Sequence, residues 1–225
     1  MEKQEIDINS IFEKKYPIIT TEGENGALNS TIYITQEIGA PHEIVEIVAL
    51  LTAAEDGDTA TFKFNTPGGR LDTTLMALDA FASTKALLIG EIVGEVASAG
   101  TMWVMAMDDI IVSEWGSMMI HNYTGGIYGK GYELKTRMEF ETPFLESFMY
   151  GTYKHFLTKK EIGRIVTDKD IYMGANEIMG RWSVVMGKRQ KRAEKRIVSQ
   201  EATNIANGIT EARAFLAEYA EKPID

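Results

Sequence analysis

The sequence predicts an α/β fold, a mostly parallel sheet covered by helices, and three observations carry that prediction. Apolar and β-branched runs alternate with stretches of helical period, giving strand, helix, strand, helix, strand, helix, strand between Ser30 and His121. Three strand ends carry Asn65–Gly69, Gly94–Gly100 and His121, and parallel sheets hold their sites at the carboxyl ends of the strands. The length, 225 residues, suits one sizeable domain of this class and is short for two.

Residues 1–27 mix charge with Pro17, Gly23 and Gly26, show no sustained period, and read as an N-terminal arm. Ser30–Thr35 is β-branched and aromatic, a strand. Pro41 suits a first helical position, and Ile44, Val45, Ile47, Val48, Leu50 and Leu51 make an apolar helix that ends near Glu55. After the Asp56-Gly57-Asp58 turn, Thr59–Asn65 puts Ala60, Phe62 and Phe64 on one face of a second strand. Beyond the Asn65–Gly69 corner, Leu71, Leu75, Met76, Leu78 and Phe81 mark a helix. Ala86–Val93 reads as a buried strand and Thr101–Met107 as a buried helix, with Gly94–Gly100 as the turn between them. Asp109–Ser113 and Ser117–His121 are two short strands about a Trp115-Gly116 turn.

Asn122–Gly131 contains Gly125, Gly126, Gly129 and Gly131 and reads as an extended loop. Tyr132–Leu157 has a long helical pattern that Pro143 and Gly151 are expected to kink or interrupt. So large an excursion between sheet elements is more than a connection requires and is consistent with a protruding helix that packs against another subunit. Thr158–Glu161 is a capping box opening a short helix. Asp168-Lys169-Asp170 turns into Ile171–Met173, and a short helix follows over Ala175–Met179.

Charge sets the tail apart. Residues 188–225 hold eight Lys/Arg against six Asp/Glu in a chain of net charge −10, so residues 1–187 carry −12. The basic run Lys188–Arg196 and the later Ile205, Ile209, Phe215 and Leu216 read as a charged C-terminal helix. The domain expectation is thus an arm over 1–27, one domain over 28–187 and a tail over 188–225.

The acidic balance excludes a general nucleic-acid binder, which needs a basic face. There is no cysteine, so neither disulfides nor thiolate metal sites form, and His42, His121 and His155 are too scattered for a histidine metal site. No metal and no cofactor are expected. The N-terminus lacks an apolar signal core and no apolar run is long enough to span a bilayer, so the expectation is a cytoplasmic protein with no membrane partner.

Ser98 lies between the Ala86–Val93 strand and the Thr101–Met107 helix, in the run Gly94-Glu95-Val96-Ala97-Ser98-Ala99-Gly100. Small neighbours let the chain bend tightly there, and N–H groups of a first helical turn favour negative charge beside the serine. The residues alone leave two readings open, a nucleophile and a simple helix cap. The Pro67-Gly68-Gly69 corner likewise leaves backbone N–H groups uncovered by side chains, or is only a turn.

Four separated motifs in one order resemble the proteolytic subunit of the caseinolytic (Clp) protease family over roughly residues 28–187. They are Asn65-Thr66-Pro67-Gly68-Gly69, Gly94-x-x-Ala97-Ser98-x-Gly100, Met119-Ile120-His121-Asn122 followed by Gly125-Gly126, and Asp170 ahead of Ala175-x-Glu177. The resemblance implies the fold shared with crotonases and a serine endopeptidase, in which Ser98 is the nucleophile, His121 the general base and Asp170 the acid orienting the imidazole. It implies an oxyanion hole from the N–H groups of Gly69 and Ala99, and an extended polypeptide bound as an added strand along Gly68, Gly125 and Gly126. It further implies a homo-oligomer in which two heptameric rings meet through the handle helix and enclose a chamber, fed by a separate AAA+ ATPase. The chain itself shows no phosphate loop of the Gly-x-x-x-x-Gly-Lys kind.

The sequence departs from the family pattern at Ala99, where methionine is usual, at Thr66, usually serine, and at Glu95-Val96, usually Gln-Ala. Residues 1–27 do not match the family's axial loop, and the tail exceeds what the family needs. Asp168 rivals Asp170, and the spacing to Ala175 and Glu177 favours Asp170. His42 and His155 read as surface or packing residues. Other functions remain open at this stage: a crotonase-like acyl-CoA enzyme, which the serine–histidine pair disfavours, a non-catalytic assembly subunit, and by analogy a phage capsid-maturation protease.

Overall fold

The computed structural model describes residues 14–23, 26–125, 128–167, 169–191 and Thr210. The chain divides into two compact units between Trp182 and Ser183. The first holds strands β1 (Ile18–Glu22), β2 (Leu28–Ile34), β3 (Thr59–Thr66), β4 (Leu87–Ala97), β5 (Asp109–Val112), β6 (Ser117–Ile120) and β7 (Ile171–Gly174). Its helices are α1 (Val45–Ala53), entered through a 3-10 turn at Pro41–Ile44, α2 (Leu71–Ser83), α3 (Ala99–Ala106), α4 (Gly131–Tyr153), α5 (Lys159–Val166) and α6 (residues 175–182).

The sheet runs β1-β2-β3-β4-β6-β7, with β5 also on β4. All pairings from β2 through β6 are parallel, and the edge strands β1 and β7 are antiparallel. This is the α/β, mostly parallel, helix-covered sheet that the alternating pattern predicts. Ala60, Phe62 and Phe64 are buried as the period of two requires, beside Ile32, Ile34, Leu88 and Ile92. The helices complete that layer: Phe81 of α2 stands edge-on to Phe62 at 5.2 Å and to Trp103 of α3 at 5.4 Å. On the sheet's other face Lys63 and Glu91 are directly opposite in the β3–β4 register and form an ion pair.

β4 is the strand that positions the site. Ile89–Ile92 pair with Asp109–Val112 of β5, and Glu95–Ala97 pair with Ser117–Met119 of β6, so two short strands share one edge of a long one. Val96 pairs with both Thr66 and Met118. That second set of ladder bonds extends the strand past Val93, where the apolar run ends, and the expected turn over Gly94–Gly100 contracts to Ser98 alone.

Other expectations are corrected as well. Part of the arm is a strand: β1 pairs with β2 from Ile18↔Ile32 to Glu22↔Leu28, and buried Tyr16 donates its hydroxyl to Glu37 O at 2.7 Å while accepting from Gly39 N at 3.0 Å. Helix α4 is unbroken through Pro143 and Gly151. Pro143 removes one amide from a largely exposed rod where water can serve the freed carbonyl, and Gly151 falls in the last turn, where its entropic cost is small. The helix expected over Ala175–Met179 extends to residue 182 in the first unit, and residues 183–191 of the second unit are helical. Gly126, Asp168 and the tail beyond residue 191, Thr210 excepted, lie outside the described residues.

Candidate active site

Ser98 occupies the one-residue corner between β4 and α3, with φ 52° and ψ −127°. Among the described residues no other non-glycine residue has positive φ. Such a conformation costs on the order of 1–3 kcal/mol and persists only where its surroundings fix it. Here both flanking peptides are held. Ser98 N–H donates to Met119 O on β6 at 2.8 Å, and Ser98 C=O accepts from Thr101 N at 3.0 Å and from Thr101 Oγ1 at 2.7 Å. The side chain is thereby turned out of the strand and away from the helix.

The Asn65–Gly69 corner lies against this elbow. Thr66 Oγ1 donates to Gln36 O at 2.7 Å and accepts from Gly68 N at 3.1 Å, which folds the chain back over Pro67. Gly68 has φ 91°, and a methyl group there would lie 2.6 Å from Ala97 O, 2.7 Å from Ser98 Cβ and 2.8 Å from Ala99 N. Only glycine lets the two backbones touch at this point. Gly68 C=O accepts from Ile38 N at 2.7 Å, and Arg70 N donates to Ile38 O at 2.8 Å. In a trans peptide the N–H opposes the preceding C=O, so Gly69 N–H points away from Ile38, toward the β4 side where Ser98 stands. Ala99 N–H opens α3 and has no acceptor within the helix. Neither N–H has a protein acceptor among the described residues.

His121 follows β6 directly, and the β4–β6 pairing brings it beside the elbow: its Nε2 lies 2.7 Å from Ser98 Oγ, and both side chains are half-buried. Asn122 steadies the chain beyond it, donating to Val166 O at 3.3 Å and accepting from Tyr123 N at 2.9 Å. Asp170 immediately precedes β7. The antiparallel register ends at Ile120↔Ile171, and one further step sets Asp170 opposite His121. Among the described residues no hydrogen bond joins the two, and Asp170 is exposed. The structure therefore brings Ser98, His121, Gly68, Gly69 and Ala99 together and leaves Asp170 across the ladder. His42 is exposed on the surface.

A cavity of about 930 Å³ opens over Ser98, His121, Gly68, Gly69, Ala99 and Gly125. Met102 and Met119 form part of its wall, and α4 supplies Arg137, Phe140, Phe144 and Leu145. Arg137 Nε is bound to Glu141 Oε1 at 2.6 Å, so that cation is already partnered. The α4 wall is not legible in the sequence, because nothing local says that a helix some forty residues after the serine returns over it. Among the described residues no group of three or more His, Cys, Asp or Glu is arranged to hold a metal ion, and no helix is long and apolar enough to cross a membrane.

The family model for Clp protease matches residues 26–181, more than half of the chain and the whole of this site. The chain belongs to the Clp protease family. No individual curated protein matches it. Membership of the Clp protease family makes the chain a peptidase, and members of that family typically form oligomeric rings. The Clp protease match supports a peptidase and lends nothing to the acyl-CoA reading.

Proposed function

We propose that this Clp protease family chain is a serine endopeptidase that cleaves unfolded or extended polypeptide inside a homo-oligomeric chamber. The observation that carries the proposal is the 2.7 Å contact of Ser98 Oγ with His121 Nε2 at a positive-φ elbow, beside two backbone N–H groups that have no acceptor among the described residues. A serine hydroxyl is too weak an acid to attack an amide unaided, and a neutral imidazole in hydrogen-bond contact supplies the base.

In this reading Nε2 takes the Oγ proton as Oγ bonds the scissile carbonyl carbon. The carbonyl oxygen gains the electron pair and is held by Gly69 N–H and Ala99 N–H. Collapse expels the amine, which takes the proton from Nε2 and leaves Ser98 acylated. Water then loses a proton to Nε2, attacks the ester, and restores the Ser98 hydroxyl as the acid departs. Nε2 can accept only if the ring's proton is on Nδ1, and Asp170, one step along the ladder, is the carboxylate assigned to hold it there. An extended substrate lies in the cavity along Gly68 and Gly125, bound through its backbone. The assembly is two heptameric rings, unfolded polypeptide reaches it from a partner AAA+ ATPase, and its place is the cytoplasm.

The test is intact-protein mass spectrometry after treatment with a fluorophosphonate, on the native chain and on Ser98→Ala. One adduct on the native chain and none on the variant is the expected result. An assembled, folded native chain that takes no adduct would mean an inactive assembly subunit and would overturn the proposal.

A further inference from the structure

The Ser98–Ala99 peptide is held from behind by a buried chain of hydroxyls. Thr101 Oγ1 lies 2.7 Å from Ser98 O and 2.6 Å from Tyr153 OH. A carbonyl can only accept, so the Thr101 proton goes to Ser98 O and Thr101 Oγ1 in turn accepts the Tyr153 proton. The direction of the whole chain is thereby fixed: Tyr153 O–H to Thr101 Oγ1–H to Ser98 C=O. Thr101 is fully buried and Tyr153 is 1% exposed. Burial pushes the Tyr153 phenol well above its ordinary value, so it stays a donor at any working pH.

The peptide that receives this chain also carries Ala99 N–H. Its C=O and N–H bonds point in opposite directions, so whatever fixes Ser98 C=O along the helix fixes Ala99 N–H the other way, out of the α3 N-terminus and into the cavity. An acceptor that takes two hydrogen bonds polarises its amide, and hydrogen bonds in series strengthen one another. Ser98 C=O takes both bonds from Thr101, through N and Oγ1. Ser98 needs such support more than an ordinary helix start, because its φ of 52° is strained.

We propose that Thr101 and Tyr153 are positioning residues for the oxyanion site: they aim and polarise the Ala99 N–H by holding the carbonyl of the same peptide. The inference rests on the serine peptidase reading above. It also ties the reacting end of the sheet to the last residue of α4, the helix whose other side chains wall the cavity.

The test uses the assembled full chain and an acylated dipeptide aminocoumarin amide, with Thr101→Val, Thr101→Ser, Tyr153→Phe and Ser98→Ala compared. Thr101→Val is expected to lower kcat by about tenfold or more with KM within twofold, since the lost interaction serves the transition state. Thr101→Ser, which keeps the hydroxyl, restores kcat to within about threefold. Tyr153→Phe keeps the Thr101 donor and removes only its reinforcement, so it lowers kcat by a few-fold. Unchanged kcat in both Thr101→Val and Tyr153→Phe overturns the inference, and so does a loss that Thr101→Ser fails to rescue while melting temperature and KM shift with it. Unchanged hydrolysis by Ser98→Ala overturns instead the peptidase reading on which the inference stands.

Discussion

In the proposed peptidase mechanism Asp170 is the carboxylate assigned to the imidazole of His121. Ser98 and His121 are in contact as they stand, but a serine–histidine pair without a carboxylate leaves the imidazole free to take the wrong tautomer and gives the imidazolium no partner. Asp170 lies one residue past the last β6–β7 pair, the register position opposite His121. It is exposed and, among the described residues, makes no hydrogen bond to His121. Asp170→Asn is therefore expected to fold normally, by circular dichroism and melting temperature, and to slow fluorophosphonate labelling of Ser98 by about 10²–10⁴-fold. Labelling within threefold of the native rate would remove Asp170 from the mechanism. How much of this was legible in the sequence follows from the kind of contact involved. Ser98 and His121 stand at strand ends, which periodicity locates. The glycine at residue 68 stands out because a Pro-Gly-Gly corner has few uses. Tyr153 carries no such mark: it reads as one more apolar position of a long helix, and only the fold brings it to Thr101, 52 residues away.

At the scale of elements, the segment bearing Asp170 is held in place by a charged clasp. Thr158 and Glu161 form the capping box that the sequence announces, with Glu161 N donating to Thr158 Oγ1 and Thr158 N to Glu161 Oε2. Arg181 of α6 then reaches Glu161 at 2.7 Å, Glu177 at 2.7 Å and Phe156 O at 3.3 Å, joining α6 to both ends of the α4–α5 turn. The Arg181 hydrogen bond, opposed by partial desolvation and aided by Thr158, holds the Glu161 carboxyl at about 2 against an ordinary 4.5. A carboxyl whose pKa is lower in the folded chain stabilises it fully above the unfolded value and loses that contribution as pH falls toward the folded one. Glu161→Gln keeps the capping geometry and removes the charge. It should be less stable than the native chain by about 1 kcal/mol at pH 6, a modest figure because the pair is partly solvated. Urea titrations should show the difference shrinking between pH 4.5 and about 2; a gap independent of pH would mean that the charge contributes nothing. The elements themselves were largely legible, since α5 and the parallel strands announce themselves by period and cap. β1 and the last residues of β4 did not, because their pairing partners, and no pattern of their own, make them strands.

At the scale of the whole molecule, helix α4 presents an exposed aromatic face. Phe140 is 69% exposed and Phe144 is 44% exposed. With Phe148 they form a ladder at i, i+4 spacing, rings nearly parallel at 6.0 and 6.5 Å. Tyr132 and Met138 add to the exposed apolar surface of the same helix. Water-exposed aromatic surface of this extent is costly unless a partner covers it, and ring formation in the Clp protease family makes a second copy the economical partner. Fourteen chains of 25.1 kDa come to about 350 kDa and a single ring of seven to about 176 kDa. If α4 joins two rings, mass photometry of the native chain should give the larger value, and Phe140→Asp with Phe144→Asp should give the smaller, because a carboxylate buried without a partner opposes association. Equal masses for the two would mean that α4 faces no second ring, and the aromatic ladder would then belong to the wall of the cavity alone.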